Sequence, residues 1–444
     1  MIADTQSLQE NAKFGSALPH SDGFSGLSTR GMHALSVNAT TITPENRRAL
    51  LADTPFFFRL VGSIFQQVRV GTLIFQLPDG RNLKFVGEEE TDCIGVIRVH
   101  DYAIARRSVL GGDVGFFESY ADDQWSTPDL ATCLYVLARN TEDIQAVFQG
   151  NPLFTWLDSL RHTVNRNSKS GSKRNIMAHY DLGNEFYEQW LDPTMTYSSA
   201  IFDRNNQTLQ SAQQNKYENL ARNIQLKPGE HVLEIGSGWG GFAEFAAKEV
   251  GATVTGVTLS KAQYDYASAR LQSMGLNDRA KIELRDYRDL TGQYDKIASI
   301  EMFEAVGKAY WPVYFDKVRQ SLRPGGIAGL QIITVSDRLY EGYEQSTDFI
   351  QRYVFPGGML PSPSIMHDLV ASSGLNWQGS MTFGQHYADT LREWHRRFLA
   401  AWETIQTMGF DGRFKKIWQF YLAYCEAGFR AASTNVYQIA ATKP

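Results

Sequence analysis

The chain has 444 residues, 43% apolar and 20% charged, with a formal net charge of -5. That composition supports about two or three folded domains, excludes global disorder, and argues against a globally basic nucleic-acid binder. Three widely separated cysteines, Cys93, Cys133 and Cys425, fit neither a disulfide framework nor a metal-ligand pair, and no run of about 18 apolar residues exists to span a bilayer.

Residues 1–42 are rich in Ser, Thr, Gly, Asn and His without a sustained apolar period, which predicts a mostly disordered tail. They lack a basic segment followed by an apolar one, so no signal peptide is expected, and the expected location is cytoplasmic. From Thr43 a small α+β domain is predicted over 43–160. Thr43-Pro44-Glu45-Asn46 and Asp53-Thr54-Pro55 are helix starts. The run Phe56, Phe57, Leu60, Val61, Ile64, Phe65, Val68 has helical spacing. Thr72–Leu77 and Asn82–Val86 flank a hairpin turn at Pro78-Asp79-Gly80-Arg81, and Cys93–Val99 is a further strand. Ser126-Thr127-Pro128-Asp129 opens a helix to about Arg139.

Residues 161–174, polar and basic, read as a linker: either a solvated loop or a strip facing anionic headgroups or a cofactor carboxylate. Over 175–444 strands and helices alternate. His231–Ile235, Thr253–Thr258, Lys281–Arg285, Asp295–Ile300 and Ile327–Thr334 are strands, with helices over Gly241–Glu249 and Lys261–Met274. Asn435–Ala441 reads as a strand that closes the sheet. Such alternation predicts an α/β fold, a mostly parallel sheet with helices on both faces.

The strongest local signal is Val232-Leu233-Glu234-Ile235-Gly236-Ser237-Gly238-Trp239-Gly240-Gly241, a strand carrying a carboxylate into a glycine-rich turn and a helix. Glycines at the first strand–helix turn let a ligand approach the backbone. With no third glycine in the dinucleotide position, the run differs from the pyrophosphate fingerprint. It resembles motif I of the class I (Rossmann-like) methyltransferases, whose turn passes close to S-adenosylmethionine. Thr258, Ser260, Asp286 and Tyr287 end the next strands and border the same crevice. Asp286 is either an acceptor for an adenine amino group or a helix cap.

From about residue 55 the chain resembles the cyclopropane-fatty-acyl-phospholipid synthases. The matching segments are His179-Tyr180-Asp181-Leu182-Gly183-Asn184-Glu185-Phe186-Tyr187, Met195-Thr196-Tyr197-Ser198-Ser199-Ala200-Ile201-Phe202, Leu233–Gly241, Asp286–Asp289, Met302-Phe303-Glu304, Phe355-Pro356-Gly357-Gly358 and Phe398-Leu399-Ala400-Ala401-Trp402. Gly112-Asp113 and Glu118-Ser119-Tyr120 resemble the family's accessory lipid-binding domain. The resemblance implies S-adenosylmethionine as cofactor, held by Tyr180, Tyr197, Ser198, Glu234, Gly236, Gly238, Gly240, Thr258, Ser260, Gln263, Asp286 and Tyr287. It also implies a phospholipid acyl chain as substrate at a membrane surface, on the inner face. A homodimer and a partner oxidase or reductase are compatible with it; nucleic acid and a metal are not expected.

In that family the π bond of an acyl chain takes the methyl group, a carbocation forms, and a base removes a proton. Proton loss from the transferred methyl closes a cyclopropane; loss from a neighbouring carbon gives a methylene or branched chain. The resemblance implies a bound bicarbonate as base, held by Cys, Glu, His and Tyr. Here Glu304 and Tyr387 match, but Ser199 stands for the Cys and Gln331 for the His, and an extra carboxylate, Glu301, ends the fourth strand. The expected catalytic set is therefore Glu304, Glu301, Tyr387, Gln331 and Ser199, with a protein carboxylate taking over from bicarbonate. Glu-Met-Phe-Glu-Ala-Val-Gly at 301–307 resembles both a branch holding plant-type cyclopropane synthases and the methyltransferases making methyl-branched or furan-precursor fatty acids. Aromatic residues of 337–363 either wall an acyl tunnel or pack a core. The rival classes are a small-molecule methyltransferase and a non-catalytic lipid binder.

Overall fold

The computed structural model of the chain describes residues 29–144, 182–203 and 207–444; the expected linker 161–174 lies outside them. It opens with α1 (Thr29–Asn38) and β1 (Thr40–Thr41), inside the span predicted as a disordered tail. That prediction is corrected for residues 29–41. Met32 and Leu35 pack on Ile74, Ile94 and Val96, and β1 pairs in parallel with Leu83 and Lys84. Two apolar contacts suffice when a finished sheet supplies the opposite face, and so weak a pattern leaves no period in the sequence.

α2 (Arg47–Leu50) and α3 (Phe56–Ile64) follow both predicted start signals. Then come β2 (Val70–Gln76), β3 (Asn82–Val86), β4 (Glu89–Val99), α4 (Ala103–Ala121), β5 (Trp125–Ser126) and α5 (Leu130–Arg139), capped by Asp129 accepting from the Thr132 N–H at 3.0 Å. The sheet order is β1-β3-β2-β4-β5, with β2 and β3 as the predicted hairpin. α4 runs through the glycine-rich stretch after a kink at Gly112 (φ 56°, ψ -141°), a backbone region essentially reserved for glycine.

The second unit contains α6 (Asn184–Glu188), α7 (Leu209–Asn223), β6 (His231–Ile235), α8 (Gly241–Phe245), β7 (Thr253–Thr258), α9 (Lys261–Ser273), β8 (Ala280–Leu284), β9 (Tyr294–Ile300), α10 (Trp311–Ser321) and β10 (Leu322–Val335). It continues with α11 (Asp337–Gln345), α12 (Phe349–Tyr353), α13 (Pro363–Ser372), β11 (Asn376–Thr382), α14 (Gly384–Ala400), α15 (Trp402–Thr407), α16 (Gly412–Arg430) and β12 (Thr434–Thr442). Strand order is β11-β12-β10-β9-β6-β7-β8, parallel except that β12 runs antiparallel to β10 and β11. The predicted α/β sheet is present, and the strand expected to close it, β12, pairs with β10 while β11 forms the edge beyond it. β11, exposed along much of its length and without apolar alternation, was not legible.

Because β6 lies between β7 and β9, the chain's direction of travel across the sheet reverses there, and the crevice outside the carboxyl ends of these strands is where such a fold binds ligands. The two units share one core. Phe117 of α4 packs against Phe349, Tyr353 and Phe420. Around that seam Arg413 pairs with Asp122 at 3.1 Å, Lys416 with Asp123 at 2.7 Å, and the Tyr353 hydroxyl donates to Glu118 at 2.8 Å.

Candidate active site

A cavity of about 1750 Å³ begins at the carboxyl ends of β6, β7, β9 and β10 and continues between α11, α12 and α16 to Phe58, Val61, Ile64, Ile104, Leu134 and Leu137 of the amino-terminal unit. The Gly236 turn sits at one end. Gly236 and Gly238 have φ of 84° and 51°, and a Cβ on Gly238 would meet nothing within 4 Å, so this backbone is open to a ligand. Glu234 is buried beneath the turn, and its Oε2 has no hydrogen-bond partner. Burial raises its carboxyl well above the ordinary value, against the pull of Lys216. An orphaned acceptor beside open backbone fits the sugar hydroxyls and methionyl portion of S-adenosylmethionine.

Tyr197, Ser198, Glu234, Gly236, Gly238, Thr258, Ser260, Gln263, Asp286 and Tyr287 all line this cavity. Thr258 Oγ1 donates to Gln263 Oε1 at 2.9 Å, and Ser260 caps α9. Asp286 fulfils the capping alternative, accepting from the Arg288 N–H at 2.9 Å and its guanidinium at 2.6 Å while bordering the cavity. Gly240 does not line it: a Cβ there would lie 3.0 Å from Ala267, so this glycine lets α8 approach α9. Tyr180 and its neighbour His179 lie outside the described residues. Gly241, not singled out from the sequence, does line the cavity, and its close approach to the Tyr217 hydroxyl leaves no room for a side chain.

The catalytic candidates converge on Glu301. Its φ of 49° is left-handed, which turns the side chain out of β9 toward the cavity. Oε1 accepts from the Ser199 N–H at 2.9 Å and from Gln331 Nε2 at 2.6 Å; Oε2 accepts from the Tyr387 hydroxyl at 2.6 Å. Ser199 and Gln331 were expected in the catalytic set as the positions matching the family's Cys and His. Neither lines the cavity; both stand behind Glu301 and hold it, Ser199 through its main chain. Glu301, Glu304 and Tyr387 do line it. Burial raises the Glu301 carboxyl, offset by the donors from Tyr387 and Ser199 and by the charge of Lys216. Glu304 has less help. Its Oε1 accepts from the Ile333 N–H at 2.6 Å, its Oε2 is buried without a partner, and burial with the neighbouring Glu301 pushes it up to about 8. Of the two carboxyls, Glu301 is the one stabilised as an anion.

Lys216, missed from the sequence because it looks like one more polar residue on a helix, is fully buried and donates to Ser198 Oγ at 2.7 Å. Burial pulls it down to about 7, against Glu301, Asp192 and Glu234. Aromatic rings wall the space beside the carboxyls: Tyr387 stacks on Phe429 at 4.3 Å, and Tyr197 meets the Tyr421 hydroxyl at 2.8 Å. Among the described residues no cluster of His, Cys, Asp and Glu has metal-ligand geometry.

Residues 167–439 match the family described as mycolic acid cyclopropane synthetase. The tuberculostearic acid methyltransferase UfaA1 of Mycobacterium tuberculosis is 39% identical over 346 residues, 76% of this chain and 80% of that protein. The cyclopropane-fatty-acyl-phospholipid synthase of Escherichia coli K12 is 34% identical over 354 residues, 77% of this chain and 86% of that protein. The crystal structure of the mycolic acid cyclopropane synthase CmaA1, complexed with SAH and CTAB, superposes with a TM-score of 0.58 at 28% identity, covering 61% of this chain and 97% of that one. With its glycine turn, orphaned Glu234 oxygen and paired carboxyls, the chain belongs to the cyclopropane synthase family and is an S-adenosylmethionine-dependent methyltransferase.

Proposed function

We propose that the chain methylates a double bond of an unsaturated fatty acyl chain in a phospholipid, with Glu301 as the proton acceptor in place of bicarbonate. One observation carries the assignment of the base. The Glu301 carboxylate sits against Ser199, Gln331 and Tyr387, the positions from which the family resemblance draws a bicarbonate's ligands. A second anion there would meet a charge already in place.

S-adenosylmethionine, when bound, supplies the electrophilic methyl group. Glu234 and the Gly236–Gly238 backbone would hold it, with Tyr197, Ser198 and the Thr258–Gln263 pair bordering the same space. The aromatic wall of Tyr197, Tyr387, Tyr421 and Phe429 excludes water and stabilises positive charge on the acyl chain after methyl transfer. Glu301 Oε2 then takes the proton, beside the Tyr387 hydroxyl. The remaining cavity, apolar from Val354 and Phe420 to Leu134 and Leu137, matches a long hydrocarbon better than a compact polar substrate. In this reading the amino-terminal unit receives part of the acyl chain, and the enzyme works peripherally at the inner membrane face. The names of the relatives, a fatty acid methyltransferase and a phospholipid cyclopropane synthase, support the substrate class.

The test is mass spectrometry of phospholipid acyl chains after expression in a host lacking such lipids. Acyl chains heavier by one CH2, with the position fixed by fragmentation, are expected. A ring shows that the transferred methyl gives its proton to Glu301, a methyl-branched alkene that a chain carbon does, and a methylene that a hydride shift precedes loss of a methyl proton. An unchanged lipid profile alongside methylation of a small polar acceptor would overturn the reading.

A further inference from the structure

We propose that Gln438 is a positioning residue that fixes which end of the Gln331 amide faces Glu301. The inference rests on the reading of Glu301 as the base. Three strands set these groups side by side. Gln331 on β10 lies opposite Gln438 on β12 and beside Ile300 on β9, and the residue after Ile300 is Glu301. An amide offers N–H on one side and C=O on the other at nearly equal size, so packing alone does not choose between them.

Main-chain carbonyls make the choice, because a carbonyl only accepts. Gln438 Nε2 donates to the Lys216 carbonyl at 3.3 Å, which commits its second N–H to Gln331 Oε1 at 2.9 Å. Gln331 Nε2 is thereby left to face Glu301 Oε1 at 2.6 Å, with the Ser199 carbonyl, another pure acceptor, at 3.5 Å. Asn219 of α7 closes the chain, donating to Gln438 Oε1 at 2.7 Å. Gln331 and Gln438 are 1% and 0% exposed, so solvent does not substitute for a lost partner. Turned around, Gln331 would press its own oxygen against the carboxylate. Because Oε1 is filled by Gln331 and the Ser199 N–H, the incoming proton goes to Oε2. The other titratable groups facing this carboxyl are Lys216 from α7, Glu304 from the following turn and Tyr387 from α14, and burial of the pair makes each hydrogen bond count.

Gln438→Met keeps the volume and removes both bonding groups. With vesicles of dioleoyl phosphatidylethanolamine and dioleoyl phosphatidylglycerol, kcat should fall roughly tenfold, the value of one hydrogen bond to a charged group, with KM for S-adenosylmethionine unchanged. The acid limb of the kcat–pH profile should move up by about one unit. An infrared titration of the full-length protein, read at the carboxyl band that Glu301→Gln removes, should show the same shift. Gln438→Glu, which presents acceptors to Gln331, should act in the same direction and serves if the Met variant fails to fold. Gln331→Met combined with Gln438→Met should be no slower than Gln331→Met alone. An unmoved Glu301 titration in a folded variant, or fully additive losses, would overturn the proposal. Normal turnover by Glu301→Gln would overturn the base assignment instead, leaving the role of Gln438 to be decided by the infrared titration.

Discussion

Glu301 and Glu304 stand three positions apart on one wall of the cavity, yet their surroundings support the charged form unequally. Glu301 takes three hydrogen bonds, whereas Glu304 takes one from the Ile333 N–H and leaves an oxygen bare. Glu301→Gln should therefore lose about a hundredfold or more in kcat, as expected for removal of a general base. Glu304→Gln, which resembles the neutral acid already present, should lose far less and should alter the product distribution. Turnover should persist in decarbonated buffer; collapse there, with recovery on adding bicarbonate, would refute the assignment.

The same pair predicts a pH dependence of stability. Glu304 has a folded-state value of about 8 against an ordinary 4.5, so between these values the folded state holds a proton that the unfolded chain has released. Stability is then greatest below the ordinary value and falls as pH rises toward 8, by up to about 1.4 kcal/mol per unit from this group. Thermal melts of Glu304→Gln should show a shallower decline over that window than the wild type. Parallel melting curves would count against a buried neutral Glu304.

At the scale of elements, the turn after β6 is the sharpest case of sequence dictating geometry. Gly236 has φ of 84°, and a Cβ there would lie 2.6 Å from Met302 Cγ. Gly236→Val should abolish S-adenosylmethionine binding measured by calorimetry; unchanged binding would remove this turn from the cofactor site. The strands and helices around it were legible because β6, β7 and β9 are short apolar runs punctuated by glycine and capping residues. α4 was not legible as an element in the glycine-rich stretch from Gly111. Gly112 interrupts the helical backbone there, and the turns that follow are held by Phe117, which packs against α12 and α16. The aromatic segment 337–363 divides: Tyr343, Phe355, Met359 and Leu360 line the cavity, while Phe349 and Tyr340 are buried in the core.

For the whole molecule, the amino-terminal and methyltransferase units share a seam and a cavity. The apolar run of α3 divides: Phe56 is 53% exposed, whereas Val61 and Ile64 are buried and border the cavity. Cutting the chain before Ser172 would strip Phe420 of its contacts with Phe116, Phe117 and Tyr120, so a point substitution tests the tunnel more cleanly. Leu137→Trp, filling the far end of the cavity, should leave cofactor binding intact and lower turnover on long-chain phospholipid vesicles by roughly tenfold or more. Full activity on such vesicles would show that the acyl chain does not extend into this unit. No described helix is long and apolar enough to cross a membrane.

The sequence by itself determined the α/β class and the Glu234–Gly241 turn, because these rest on local rules of apolar period, glycine freedom and a carboxylate at a strand end, and the family resemblance of its motifs implied the cofactor. It also determined which residues depart from the family pattern at 199, 301 and 331. Only the tertiary structure decided what the departures do. Strand register sets Gln438 opposite Gln331, 107 residues earlier in the chain, and Gln331 beside Ile300, the neighbour of Glu301. A left-handed φ at Glu301 aims its carboxylate, and three donors support its charged form where the equally buried Glu304 has one. Sequence patterns report which faces are apolar, whereas hydrogen-bond direction and desolvation depend on partners that meet only when the sheet closes.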